Sequence, residues 1–338
     1  MEDIFKDKVI LITGGTGFLG RALAREILKY NPAALRILSR DEVKHHQFQE
    51  KFNYDDRLRN LIGDVRDYNR MLKATKGCDI VIHAAALKRL DILEYNVDES
   101  IQTNIIGTLN VVNACLANDV KKAVYISTDK ACYPANTYGA CKFVSERIFI
   151  ESNYSRGTSP TVFTAVRYGN VLESTGSVIP FFSSKIRNGE RIPLTDARMT
   201  RFIISPDEAV QLVFAAIRHC AGGDVFIPQL PAFKITDLIQ ILQEKFNRQV
   251  GTKVIGIRPG EKLHELMINA CEVPRTFTFG KYYVISSHIE KTDVRSNSVA
   301  YLDENKRLTE AEMTDYSSKD AVISVDKVKK LFTDLGLL

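Results

Sequence analysis

Tyr138 and Lys142 stand four residues apart in Tyr138-Gly139-Ala140-Cys141-Lys142, so a helix there presents a phenol and an ammonium on one face. An ammonium beside a phenol draws its pKa of about 10 toward neutrality and makes it a base for a hydroxyl. Tyr-x-x-x-Lys occurs in many amphipathic helices and is a weak signal alone. It gains force from Ser127-Thr128-Asp129-Lys130, which ends the β-branched run Ala123–Ser127 eight residues before Tyr138. A hydroxyl, a carboxyl group and an amine therefore gather at one strand end, next to the phenol.

A second cluster lies at the start of the chain. Val9–Thr13 reads VILIT, then Gly14-x-x-Gly17-x-x-Gly20, then helical apolar spacing over Arg21–Tyr30. A strand-to-helix turn too tight for Cβ atoms aims free N–H groups at a pyrophosphate. An NAD site usually carries Asp or Glu about 20 residues past such a loop, on the ribose 2′-hydroxyl. This chain has Ser39-Arg40 there, with Lys44 nearby. A hydroxyl and a guanidinium suit a 2′-phosphate, so NADP is the cofactor expected. Asp64, at the end of the third strand, is placed to touch the adenine amino group.

Strands and helices must hold these groups. Runs at Leu35–Leu38, Asn60–Ile62, 79–83, Ala123–Ser127 and Thr161–Arg167 read as further strands, and Ile101–Asn118 and a stretch opening near Tyr138 as helices. Strand and helix in alternation imply right-handed crossovers and a parallel, doubly wound sheet. After about residue 170 turn-rich pieces interrupt the rhythm, between helices at Pro206–Cys220 and Ile235–Phe246. The expected division is a dinucleotide-binding domain over 1–170, to which 205–228 return, and a mainly substrate-binding lobe over 171–338. The last 45 residues are polar until a helix at Val325–Leu335.

Composition narrows the setting. The 338 residues are 45% hydrophobic and 26% charged, with 46 Lys and Arg against 41 Asp and Glu, an ordinary globular mix. Scattered charge gives no basic stripe for nucleic acid. The six cysteines form no Cys-x-x-Cys and read as buried free thiols, so neither a disulfide frame nor a metal site is expected. No run nears 18 apolar residues and the start Met-Glu-Asp-Ile-Phe lacks a signal-peptide pattern, so no membrane span and a cytoplasmic location are expected.

Together these motifs resemble the extended short-chain dehydrogenase/reductase family. Tyr138 and Lys142 match its catalytic pair, Thr128 its Ser/Thr, and Gly14, Gly17 and Gly20 its phosphate loop. Ser127-Thr128-Asp129-Lys130-Ala131 is similar to the inverting UDP-N-acetylglucosamine 4,6-dehydratases, as are His83–Lys88, Arg167–Val171, Gly176–Pro180, Thr195–Phe202 and Arg258–Glu265. The resemblance implies an α/β fold, a doubly wound parallel Rossmann sheet with a smaller C-terminal α/β substrate lobe. It implies a homo-oligomer (dimer, tetramer or hexamer) associating through helices like 101–118 and 138–151. It also implies NADP contacts from Gly14, Thr16, Gly17, Phe18, Leu19, Gly20, Ser39, Arg40, Lys44, Asp64, Val65, Ala84, Ala85, Ala86, Tyr138 and Lys142. Contacts to a UDP-sugar, with UDP-N-acetylglucosamine expected, fall to Lys88, Asn170, Ser177, Val178, Thr195, Met199, Arg201, Arg258 and Glu261. His264 reads as a packing histidine.

The implied chemistry is C4 oxidation by NADP⁺, elimination of water across C5–C6, and hydride return to C6. Tyr138 takes the C4 hydroxyl proton. Lys130, its pKa depressed by Lys142, the cofactor and burial, removes the C5 hydrogen, and Asp129 protonates the leaving C6 hydroxyl. Inversion means that C5 is reprotonated on the opposite face. One departure is Glu173-Ser174-Thr175-Gly176-Ser177-Val178 where the branch has Gly-Ser-Arg-Gly-Ser-Val, a change beside the sugar-diphosphate region. The competing reading is a nucleotide-sugar 4-epimerase or C4 reductase, which needs Tyr138 and Lys142 but neither Asp129 nor Lys130. A non-enzymatic NADP-sensing scaffold would not need Thr128, Tyr138 and Lys142 together.

Overall fold

The apolar runs of the first half become strands covered on both faces, as parallel sheets require. The computed structural model describes residues 4–172, 178–287, 301 and 306–338. In it β1 (Val9–Thr13) leads to α1 (Phe18–Leu28), β2 (Ala34–Ser39), α2 (Glu42–Lys51), β3 (Leu58–Ile62), α3 (Tyr68–Thr75) and β4 (Ile80–His83). Two single-turn helices, α4 (Leu90–Leu93) and α5 (Val97–Ser100), enter a π-helical turn at Ile101–Ile106 that continues as α6 (Gly107–Ala117). Then come β5 (Lys122–Ile126), a 3-10 turn at Asp129–Ala131, α7 (Thr137–Ser155) and β6 (Val162–Val166). Strand β1 pairs in parallel with both β2 and β4, so the strand order β3-β2-β1-β4-β5-β6 turns back at that point. Doubly wound sheets bind ligands at the carboxyl ends of such a switch.

The π-turn departs from the single helix expected over 101–118. The carbonyl of Asn104 accepts from Thr108 Oγ1 at 2.5 Å and from Ser145 Oγ at 2.6 Å, competing with the backbone ladder.

The second half supplies β7 (Asn170–Val171), α8 (Val178–Asn188), β8 (Ile192–Leu194), β9 (Thr200–Ile204), α9 (Pro206–His219) and β10 (Val225–Pro228). After these follow β11 (Ala232–Lys234), α10 (Ile235–Lys245), β12 (Thr252–Val254), β13 (Leu266–Ile268), β14 (Thr276–Phe279), β15 (Tyr282–Ile285), β16 (Tyr316–Ser317) and α11 (Val325–Asp334). Strand β10 joins β6 in parallel, and β15 and β14 extend the same sheet in antiparallel fashion to nine strands. The sheet therefore recruits 276–285 as well as 225–228, and residue 170 is not a clean divide. The lobe has its own apolar core, in which Phe182, Ile186, Leu238 and Leu242 pack with Val328 and Phe332 of α11. The C-terminal helix, whose purpose its sequence does not reveal, is thus part of that core.

All six cysteines are free. Cys78, Cys115, Cys132 and Cys141 are buried and Cys220 partly so, whereas Cys271 is exposed, contrary to the expectation of uniformly buried thiols. Among the described residues no helix is long and apolar enough to cross a membrane, and no cluster of metal-ligating side chains occurs.

Candidate active site

The carboxyl ends of the central strands border one cleft of about 940 Å³. Gly14 turns the chain off β1 at φ +66°, where a Cβ would lie 2.8 Å from the Ala85 backbone. At Gly20 a Cβ would lie 2.2 Å from the Gly15 carbonyl oxygen. The loop packs this closely only because both positions lack side chains. Helix α1 starts after Gly17 with no side-chain cap, so its first N–H groups remain available to an anion. This cradle and its donors fit the pyrophosphate of a dinucleotide.

Gly14, Thr16, Gly17, Phe18, Leu19, Gly20, Ser39, Arg40, Lys44, Asp64, Val65, Ala84, Ala85 and Ala86 all line this cleft. Asp41, beside Arg40, caps α2 by accepting from Lys44 N at 3.0 Å and pairs with Lys44 Nζ at 3.0 Å. Asp64 faces Arg66 at 2.8 Å and Arg40 at 3.7 Å. Burial raises its pKa, but the Arg66 contact outweighs this and holds the carboxyl below its ordinary value. Sequence reasoning overlooked Arg21, whose Nη1 donates to Thr16 O at 2.7 Å on the cleft wall. It also overlooked Asn104, whose side chain bonds Leu87 N at 2.8 Å and Leu87 O at 3.0 Å and so fixes the loop after β4.

Thr128, Lys130, Tyr138 and Lys142 meet in the same cleft, and Asp129 is fully buried just behind its wall. Helix α7 can sit against the Asp129–Ala131 turn because a Cβ at Gly139 would lie 2.4 Å from Lys130 O. Asn136 caps that helix, accepting from Gly139 N at 2.7 Å while donating to Gly260 O at 2.8 Å. Desolvation pushes the Tyr138 phenol up to about 12, with Lys130 pulling against it. The lowering expected from Lys142 does not offset that burial. The Lys142 amine is buried, donates to Ile126 O and lies 4.1 Å from the Tyr125 ring centroid. Burial lowers its pKa to about 7, against the pull of Glu146.

Lys130 differs most from expectation. Its Nζ lies 2.9 Å from Asp129 Oδ1, 3.6 Å from Glu265 Oε1 and 3.5 Å from Asn170 Oδ1. Burial would lower its pKa, but Asp129 and Glu265 outweigh burial and hold it above the ordinary lysine value. Depression by Lys142 is therefore overturned: Lys130 rests as an ammonium. Asp129 Oδ1 also accepts from Thr128 Oγ1 at 2.9 Å, while its buried Oδ2 has no partner.

The expected sugar contacts divide. Lys88 and Asn170 line the cleft, but Val178, Thr195, Met199, Arg201, Arg258 and Glu261 do not. Met199 is buried in the lobe core, and Arg258 is exposed. Arg201 lies 3.7 Å from Glu265 and donates to Thr200 O at 2.8 Å, so it braces the carboxylate beside Lys130. His264 Nδ1 bonds Thr200 Oγ1 at 2.8 Å, a packing contact. Ser177 and the Glu173-Ser174-Thr175 departure lie outside the described residues.

A doubly wound sheet with a glycine cradle at its switch point and a Tyr-x-x-x-Lys helix beside it defines a Rossmann protein of the extended short-chain dehydrogenase/reductase type. The chain belongs to the polysaccharide biosynthesis protein family, which it matches over residues 10–287. It is 45% identical to a Campylobacter jejuni protein named UDP-N-acetylglucosamine 4,6-dehydratase (inverting), over 87% of this chain and 87% of that one. It is 37% identical to a Rickettsia typhi protein named UDP-glucose 4-epimerase, over 98% of this chain and 97% of the other. Its fold is similar to the X-ray structure of Pen from Bacillus thuringiensis, with TM-score 0.90 and 36% identity over 99% of each chain.

Proposed function

We propose that this chain is a C5-inverting UDP-N-acetylglucosamine 4,6-dehydratase, a lyase using NADP, that works in the cytoplasm in surface-polysaccharide or nonulosonic-acid sugar synthesis. The carrying observation is the Asp129–Lys130 pair, bridged at 2.9 Å beside Tyr138. Oxidation at C4 needs neither group, whereas elimination needs a base at C5 and an acid at C6.

The pair holds one movable proton. Passing it from Lys130 to Asp129 arms both groups at once, as a neutral amine and a carboxylic acid. Lys130 then takes the C5 proton, the C5–C6 double bond forms, and the C6 hydroxyl leaves as water with the proton of Asp129. Elimination thereby returns the pair to ammonium and carboxylate. Tyr138 accepts the C4 hydroxyl proton, which requires its phenol to ionise when substrate binds. A bound nicotinamide dinucleotide would accept hydride from C4 and give it back at C6. Solvent supplies the C5 hydrogen on the opposite face.

The preference for NADP rests on Ser39, Arg40 and Lys44, together with the commitment of Asp41 to capping α2. Lys88 and Asn170, which line the cleft, supply sugar-side contacts. The apolar side chains that α7 leaves exposed, Phe143 and Val144, support association with a second copy there.

The relative named as an epimerase makes C4 epimerisation the second reading. Incubation with UDP-N-acetylglucosamine in deuterated water separates the two. The expected product is lighter by one water and carries deuterium at C5. A product of unchanged mass with C4 inverted would establish the epimerase.

A further inference from the structure

His45 is buried on the inner side of α2 and takes no part in the chemistry above. Its Nε2 lies 3.0 Å from Ser39 Oγ and 3.3 Å from the Ser39 carbonyl oxygen, and its Nδ1 lies 3.1 Å from the Asn60 side chain. Ser39 Oγ also accepts a hydrogen bond from Thr16 Oγ1 at 2.9 Å. Ser39 in turn lines the cleft beside Arg40 and Lys44.

Counting donors fixes the direction of this chain. A carbonyl oxygen only accepts, so a ring nitrogen facing both that oxygen and a hydroxyl is satisfied when it carries the hydrogen. Nε2–H then donates to Ser39, and Nδ1 must accept. The Asn60 side chain beside it can donate through its amide. The Asn60 NH₂ is otherwise buried with no partner, and turning it onto Nδ1 gives it an acceptor. Ser39 Oγ now accepts from both Thr16 and His45, which fills its two lone pairs. Its own hydrogen has one direction left, into the cleft.

We propose that the Asn60–His45–Ser39 chain commits the Ser39 hydroxyl to donate toward the cofactor's 2′-position, making His45 a positioning residue for 2′-phosphate selection. This rests on the NADP reading. A phosphate oxygen only accepts, and a committed donor in the cleft that Arg40 and Lys44 also line matches it. A hydroxyl free to turn toward His45 would serve a ribose 2′-hydroxyl equally well.

Titration calorimetry of the full chain with NADP⁺ and with NAD⁺ tests this. In His45→Gln the side-chain amide can occupy the Nε2 position, and the preference for NADP⁺ should persist. In His45→Asn the amide reaches only the Nδ1 position, and the NADP⁺/NAD⁺ affinity ratio should fall roughly tenfold, about the worth of one hydrogen bond to a charged group. Asn60→Leu should lower the ratio likewise, which keeps the test open if either His45 variant fails to fold. In a Ser39→Ala background, His45→Asn should leave the ratio unchanged. A folded His45→Asn protein with the wild-type ratio would overturn the proposal, as would an undiminished loss in the Ser39→Ala background. Tighter binding of NAD⁺ by the wild type would instead refute the NADP reading itself.

Discussion

At the scale of single residues, the site turns on where one proton rests. Lys130 lies between two buried carboxylates, and Asp129 accepts from both Lys130 and Thr128 through one oxygen. The resting ammonium is therefore the stable form, and the reactive form is reached by a proton shift of under 3 Å between donor and acceptor. This separates two half-reactions that a general loss of activity would blur. Lys130→Ala should still oxidise C4, because Tyr138 and Lys142 remain, and the near-ultraviolet absorbance of reduced nicotinamide should rise in a single turnover. Water elimination should fall by about 10²–10⁴-fold, the usual contribution of a positioned base. Elimination at full rate in this variant would refute the base assignment. The presence of the Lys130 amine was legible from the motif, but its charge was not. That depends on Glu265, 135 positions away in sequence and brought alongside only by the lobe.

At the scale of elements, the strands and the glycine loop were readable because period and turn chemistry are local. The π-turn was not, since Ser145 Oγ reaches the Asn104 carbonyl from a different helix. Nor was the recruitment of β14 and β15, whose short runs carry no signal of which sheet they join. His83 shows how tightly these elements are tied. It ends β4, and its ring bonds Thr13 of β1 at 2.7 Å and Thr108 of α6 at 3.1 Å. Burial, aided by the charge of Lys142, lowers its pKa from 6.5 to about 3. The folded ring thus stays neutral while the unfolded chain takes up a proton below about pH 6.5. The His83 contribution to stability should be intact above that pH and fall by about 1.4 kcal/mol per pH unit as acid is added, until the folded ring also titrates. Chemical denaturation at descending pH should show this slope in the wild type. In His83→Gln the slope should be shallower by that amount, and identical slopes would remove His83 as the cause.

At the scale of the whole molecule, one side chain joins sheet, helix and lobe. Arg167, fully buried after β6, pairs with Glu146 of α7 at 2.5 Å and with Glu272 at 2.9 Å, and donates to Met267 O of β13 at 2.6 Å. Arg147 adds a 3.2 Å contact to the same Glu272. Replacing both partners of a buried pair can be nearly neutral, but removing one strands the other without water. Arg167→Met should therefore cost about 3–5 kcal/mol in denaturant unfolding. Arg167→Lys should recover little, because one ammonium cannot span two carboxylates and a carbonyl as the guanidinium fork does. The effect should also reach the cleft. Glu146 lies one helical turn from Lys142 and favours its charged form. Freed from Arg167, that carboxylate should hold the Lys142 proton more strongly and move the kcat–pH profile of the surviving folded enzyme upward. A variant that loses stability while its profile stays in place would confine Arg167 to holding the lobe on the sheet.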